Sequence, residues 1–172
     1  PDQRIGLLNT NNVVDAHRII NFVRGLDQEG MRSRQILGET KRLGDFVNSA
    51  PVAVGRPSEG MHLLYNDESY SAFFQQYHER RTLVYVGGND GMLHAFNGGW
   101  HDEGKHTFTR AKEGHNQWQL GQETWAFIPF NLLPHLRYLS SSNYGKEPID
   151  HLSLMDQTPY VFDATIFSKN GV

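Results

Sequence analysis

The sequence contains no cysteine, which excludes a disulfide scaffold and any thiolate-ligated zinc or iron–sulfur site. It has no apolar run near the roughly 18–20 residues that cross a bilayer as a helix. It also has no block of like charge. With 16 Lys+Arg against 19 Asp+Glu and a pI near 6.3, the charge pattern does not fit a nucleic-acid binder. No Gly-x-Ser-x-Gly elbow is present, so the serines and histidines form no hydrolase signature. The acid pairs Asp67-Glu68 and Asp102-Glu103 read as solvated loop charge, not as a catalytic dyad. There is no charged, apolar and small-residue succession of a signal peptide. The chain starts at Pro1, and the expectation is a piece of a longer polypeptide.

What is present is a folding composition. A hydrophobic fraction of 38%, with 12% aromatic, is too rich for a disordered chain. Residues 13–25 read as a helix, with Val13, Ala16, Ile20 and Val23 at helical spacing, Asn11 or Asn12 as cap and Gly25 as stop. Residues 26–42 read as polar linker, and Arg32, Arg34, Lys41 and Arg42 as solvated surface. Pro51 opens a short strand, Val52-Ala53-Val54, where no ladder donor is missed. Residues 56–68 read as loop. A second helix spans 69–80, with Tyr70, Phe73, Phe74 and Tyr77 on one packing face.

The strongest local signal is Thr82–Gly87, then Asn89-Asp90-Gly91, then Met92–Phe96. Two apolar runs flank residues that tolerate positive φ, which predicts a hairpin. Both runs are apolar on both faces, so this hairpin expects cover on two sides. His94 reads as a packed, satisfied histidine. Residues 98–120, rich in Gly and charge, read as an exposed loop. Within it, Trp100 and Trp118 either fold back on the domain or, with His101, form a possible contact surface, since two tryptophans are costly to expose. The spacing of His101, His106 and His115 matches no compact metal motif, so no metal or catalytic residue is assigned. A strand at 124–129, a helix at 131–140 and a strand at 159–162 complete the pattern.

A repeat lies under these elements. Asp45 with Pro51-Val-Ala-Val54 has a counterpart in Asp156 with Pro159-Tyr-Val-Phe162. Setting aside 56–80, 98–120 and 131–150 leaves about 40 residues between the two prolines, near the roughly 40–50 of a propeller blade. The expected fold is mainly β with inserted helices: a β-propeller fragment of about one four-stranded blade plus the first strand of the next, preceded by a helix. Residues 1–42 form the leading helix and linker, and 43–172 the start of the propeller, with the next blade beginning near 156.

Two stretches carry a resemblance. Val84–Phe96, followed by Ala95-Phe-Asn97 and Gly121-Gln-Glu123-Thr-Trp125, is similar to the repeat of quinoprotein-type propellers, with the insertion 98–120 and Asn97 in place of Asp as departures. The ordered set Phe22-Val-Arg-Gly25, Arg42–Pro51, Tyr85–Phe96 and Trp125–Pro129 resembles the PilY-type family of type IV pilus assembly factors and tip adhesins. That resemblance implies a non-enzymatic, secreted propeller scaffold at the pilus tip of a Gram-negative bacterium. Its implied work is pilus biogenesis, adhesion and twitching motility, with minor pilins and a host or abiotic surface as partners. In it Asn89, Asp90 and Gly91 make a turn, Trp125 docks between blades, and Pro51 and Pro159 begin strands. The family also implies calcium, held by an Asp-rich loop. No two of the ten aspartates here are two residues apart, so no calcium residue or other cofactor is assigned to this segment. The alternatives are a fragment of a quinone-dependent dehydrogenase and a generic propeller interaction or outer-membrane assembly module.

Overall fold

The computed structural model describes residues 3–110 and 112–164. The tail of the 43–172 stretch beyond 164 lies outside them. In chain order the elements are α1 (Gln3–Leu7), α2 (Val13–Val23), β1 (Gln35–Ile36), β2 (Glu39–Thr40), β3 (Val52–Val54), α3 (Met61–Tyr65) and α4 (Glu68–Tyr77). Then follow β4 (Thr82–Gly87), β5 (Leu93–Asp102), β6 (Thr107–Thr109), β7 (Glu123–Phe127), a 3₁₀ helix (Phe130–His135) and α5 (Leu136–Leu139). The chain divides into two units: Pro1–Ala50, Gly87–Leu93 and Ala126–Gln157 make the first, and Pro51–Val86, His94–Trp125 and Thr158–Val172 the second.

The core of the first unit is Leu8, Ala16, Ile19, Leu136 and Leu139, flanked by Ile20, Val23, Met31 and Leu154. Helix α2 forms because Asn12, in extended conformation, accepts the Asp15 N–H. It ends where Gly25 takes φ 88°. Its buried face is Ala16, Ile19 and Phe22, one step round from the face that the sequence spacing marks.

Residues 26–42 are not plain linker. Strands β1 and β2 pair antiparallel, Gln35 with Thr40 and Ile36 with Glu39. The two residues between them, Leu37 and Gly38, both have positive φ, 53° and 83°. That is the backbone of a two-residue hairpin. Arg34 is buried, not solvated, because its guanidinium lies 4.3 Å over the Phe22 ring. Its apolar stem and flat head can be covered by an aromatic in a way that a lysine ammonium cannot.

The second unit carries most of the sheet. Strand order is β3-β4-β5-β6, with β7 also paired to β5. Strands β3 and β4 are antiparallel, with Ala53 opposite Val84. The long β5 shares one edge between two partners. Its end pairs with β6, Trp100 opposite Thr109 and Asp102 opposite Thr107. Just before, Asn97 donates its backbone N–H to the Gln122 carbonyl, and Gly121 donates to the Asn97 carbonyl. Two residues thus face one, and the first of them, Gly121, sits at φ 75°. This is a β-bulge of the glycine type, which belongs to antiparallel pairs. The run β3-β4-β5-β7 is therefore the expected four-stranded blade, an open sheet, with the β5–β6 hairpin as its insertion.

Four further expectations change. Residues 98–120 are not simply an exposed loop: β5 runs through to Asp102 and β6 returns. Thr107, Phe108 and Thr109 form this strand because His101 and Phe108 pair across it at 5.3 Å. Residues 56–68 contain α3, whose His62 ring stacks 5.5 Å from Tyr70 and lies 5.1 Å from Phe74. Five residues are too few for periodicity to show. The helix expected at 131–140 begins as 3₁₀ and becomes α only at Leu136, since Pro134 has no N–H to donate. Finally, Pro159–Phe162 forms no strand. It finds no ladder partner among the described residues, and Tyr160 and Phe162 are exposed.

Candidate functional site

In the first unit the turn between β4 and β5 is a polar lock. Asn89 and Asp90 are buried. Asp90 Oδ2 accepts the Gly44 N–H at 2.8 Å and Oδ1 the Met92 N–H at 3.2 Å. Asn89 donates from Nδ2 to Asp45 Oδ2 at 2.8 Å and from its backbone to the Asp45 carbonyl at 3.0 Å. Its Oδ1 accepts the Leu154 N–H. Gly91 has φ 85°, which closes the turn. Gly44 admits no side chain, because a Cβ there would lie 2.5 Å from the Asp90 nitrogen. The residues that make a hairpin turn thus also bind two distant chain segments. Asp156 continues the lock: its carboxylate accepts both the backbone and side-chain N–H groups of Asn48, at 2.9 and 2.6 Å. The two acids that open the sequence repeat, Asp45 and Asp156, are both committed to such bonds.

In the second unit β5 carries a different cluster. Of the two readings of Trp100, folding back and exposed contact, the structure shows the first: it is only 6% exposed. The Arg81 guanidinium lies 4.0 Å from its ring centroid and 4.6 Å from that of Trp118, which is half-buried. Nη1 of Arg81 donates to Asn97 Oδ1 at 2.7 Å, and Nη2 donates to the Asn116 carbonyl. Burial lowers the Arg81 pKa from its usual value. Asn97 is buried, and its Nδ2 donates to the carbonyls of Trp118 and Gln119 at 2.9 and 3.0 Å. An aspartate could not make those two donations, which accounts for the departure from the repeat pattern.

His101 is exposed, and with Trp100 it lines a cleft of about 1100 Å³ in this unit. Strand β3, at the end of the strand order among the described residues, forms part of its wall, with Arg80, Lys112 and Asp163 around it. Lys112 pairs with Glu79 at 2.6 Å, and Arg80 with Asp163 at 3.7 Å. His94 is buried, with Nδ1 2.6 Å from Glu123 Oε1 and its ring stacked on Phe96. Trp125 is 43% exposed and meets the Tyr85 ring at 5.6 Å. Pro51 immediately precedes β3. Pro159 lies outside every helix and strand of the described residues. His101, His106 and His115 are not gathered together, and no group of three or more His, Cys, Asp or Glu suited to a metal occurs among the described residues.

Sequence reasoning missed Arg81, Arg34 and Arg32 as organising residues. The signal available was aromatic and arginine content, but nothing in linear spacing joins Arg81 to Trp100 or Arg34 to Phe22.

Residues 43–115 match the family model of the PilY1 beta-propeller domain. The chain is 33% identical over 150 residues, 84% of its length, to the type IV pilus biogenesis factor PilY1 of Pseudomonas aeruginosa (strain UCBPP-PA14). It is 33% identical over 132 residues, 74% of its length, to a type IV pilus biogenesis factor PilY1 homolog of Xylella fastidiosa (strain Temecula1). The matches span about 10% and 9% of those relatives, so the chain corresponds to about a tenth of each. No solved structure matches the chain. The blade-like meander and these similarities agree: the chain is a PilY1-type fragment carrying PilY1 beta-propeller sequence between residues 43 and 115.

Proposed function

We propose that this chain is the opening part of a propeller in a type IV pilus biogenesis factor, and that it acts as a non-enzymatic scaffold outside the cytoplasm. The observation that supports this reading is the similarity, over most of the chain, to proteins named type IV pilus biogenesis factor PilY1. In this reading the propeller is tip-associated, works with minor pilins, and serves adhesion and twitching motility. Calcium, where the parent protein uses it, is held by residues outside this segment. The locked turn and the arginine–tryptophan cluster then serve to hold blade and insertions rigid while the outer faces meet partners.

The test is made in a bacterium that carries the parent gene. Surface filaments are sheared and analysed by mass spectrometry, and a strain lacking codons 43–164 is compared for piliation and twitching. Peptides of this chain are expected in the sheared fraction beside minor pilins, with piliation and twitching lost in the deletion strain. Peptides confined to the soluble periplasm, with unchanged piliation, would overturn the proposal.

A further inference from the structure

The first unit holds a second pocket, of about 210 Å³. Its walls include Arg32, Arg34 and Lys41 on one hand, Asp45 and Asp90 on another, and the apolar surfaces of Ile36, Leu43 and Leu139. The charged groups differ in what they have left to offer. Lys41 is paired with Glu39 at 2.7 Å. Arg34 donates through Nη1 to the Arg42 carbonyl. Asp45 receives Asn89 and His151, and Asp90 receives Gly44 and Met92.

Arg32 stands apart. Its backbone is pinned by donation to the Ser140 carbonyl at 2.9 Å. Its guanidinium is held by rings, 4.6 Å from the centroid of Tyr144 and 5.7 Å from that of Phe22. Its Nε is buried and has no hydrogen-bond partner. No carboxylate forms an ion pair with it among the described residues. The nearby Arg34 adds like charge, and its own pKa is lowered first by burial and then by the charge of Arg32. A guanidinium pre-oriented by aromatic rings, with an unused buried donor in a pocket, is the arrangement that recognises a planar oxyanion through a fork of N–H groups. Buried donors left without a partner are rare enough to call for one.

We propose that this pocket binds a carboxylate carried on a short aliphatic stem. The carboxylate sits on the Arg32 Nε–H and the stem lies against Ile36, Leu43 and Leu139. The inference is independent of the pilus reading, since it rests on the pocket alone. A free small acid and a glutamate side chain of a polypeptide share this chemistry.

The experiment follows the Arg32 Nε–H resonance of the ¹⁵N-labelled full chain during titration. The probes are butyrate, its neutral counterpart butyramide, and the blocked tripeptides acetyl-Ala-Glu-Ala-amide and acetyl-Ala-Gln-Ala-amide. Butyrate is expected to move the resonance saturably, and butyramide to leave it in place. Binding of the Glu tripeptide at least tenfold tighter than butyrate identifies a polypeptide source; the reverse order identifies a small acid. Arg32→Lys keeps the charge and removes Nε; its butyrate binding, read from the backbone amide resonances of the pocket segments in parent and variant alike, is expected to be at least tenfold weaker. Leu43→Glu leaves the Arg32 stacking untouched and brings a competing carboxylate to the pocket mouth, with the same expected loss. The proposal is overturned if neither butyrate nor the Glu tripeptide moves the Arg32 signal, if butyramide moves it equally, or if both variants bind butyrate as tightly as the parent.

Discussion

Arg81 stacks its guanidinium 4.0 Å over the ring of Trp100 and so turns a tryptophan of the insertion into part of the fold. Trp118 lies against the same guanidinium, at 4.6 Å, and Asn97 accepts a hydrogen bond from it. Lysine keeps the charge but loses the planar stack and the second donor. Arg81→Lys is expected to lower stability by about 1–2 kcal/mol, the range of a desolvated cation–π contact. Urea unfolding checks this, with Trp100 emission shifting red as its cover loosens.

Asn97→Asp restores the residue type of the repeat pattern and places a carboxylate beside Arg81. It nevertheless removes the two donations to the Trp118 and Gln119 carbonyls. Leaving a buried group unpaired costs about 1–3 kcal/mol. The variant is expected to be less stable than the parent, and amide exchange is expected to quicken around 118–122. A variant as stable as the parent would show that the new ion pair compensates.

Asp90→Ala leaves the N–H groups of Gly44 and Met92 without their acceptor. The expected loss is about 2 kcal/mol or more by the same reasoning. Its mark is local: protection of the Gly44 amide against hydrogen exchange should fall before that of the Ala16 amide in α2. Equal losses at both sites would mean that the turn and the helical core unfold together.

Acid is expected to loosen the lock. Burial works to raise the Asp45 pKa, but hydrogen bonds from Asn89 and His151 outweigh it and hold the carboxyl below its ordinary value. Asp156 is likewise held low, chiefly by the backbone and side-chain N–H groups of Asn48. A carboxyl with a depressed folded pKa adds stability above its unfolded pKa, about 3.9, and loses that contribution as pH falls through the folded value. Stability should therefore fall below about pH 4. The double variant Asp45→Asn, Asp156→Asn should flatten that fall, as read from melting temperatures between pH 6 and 2.5.

The sequence by itself determined the local chemistry: where α2 and α4 run, where β3, β4 and β7 lie, where β5 begins, and that Asn89-Asp90-Gly91 turns the chain. These features rest on caps, apolar runs and positive-φ residues, which act over a few neighbours and are visible in linear order. Only the tertiary structure decided what the charged and aromatic residues do. Arg34 is buried because Phe22 covers it, and Trp100 is buried because Arg81 and the β6 return cover it. Likewise Pro159–Phe162 has strand composition without being a strand, since β structure is made by pairing and no described residue pairs with it. Burial, stacking and ladder pairing are relations between segments far apart in sequence, and no property of one segment alone contains them.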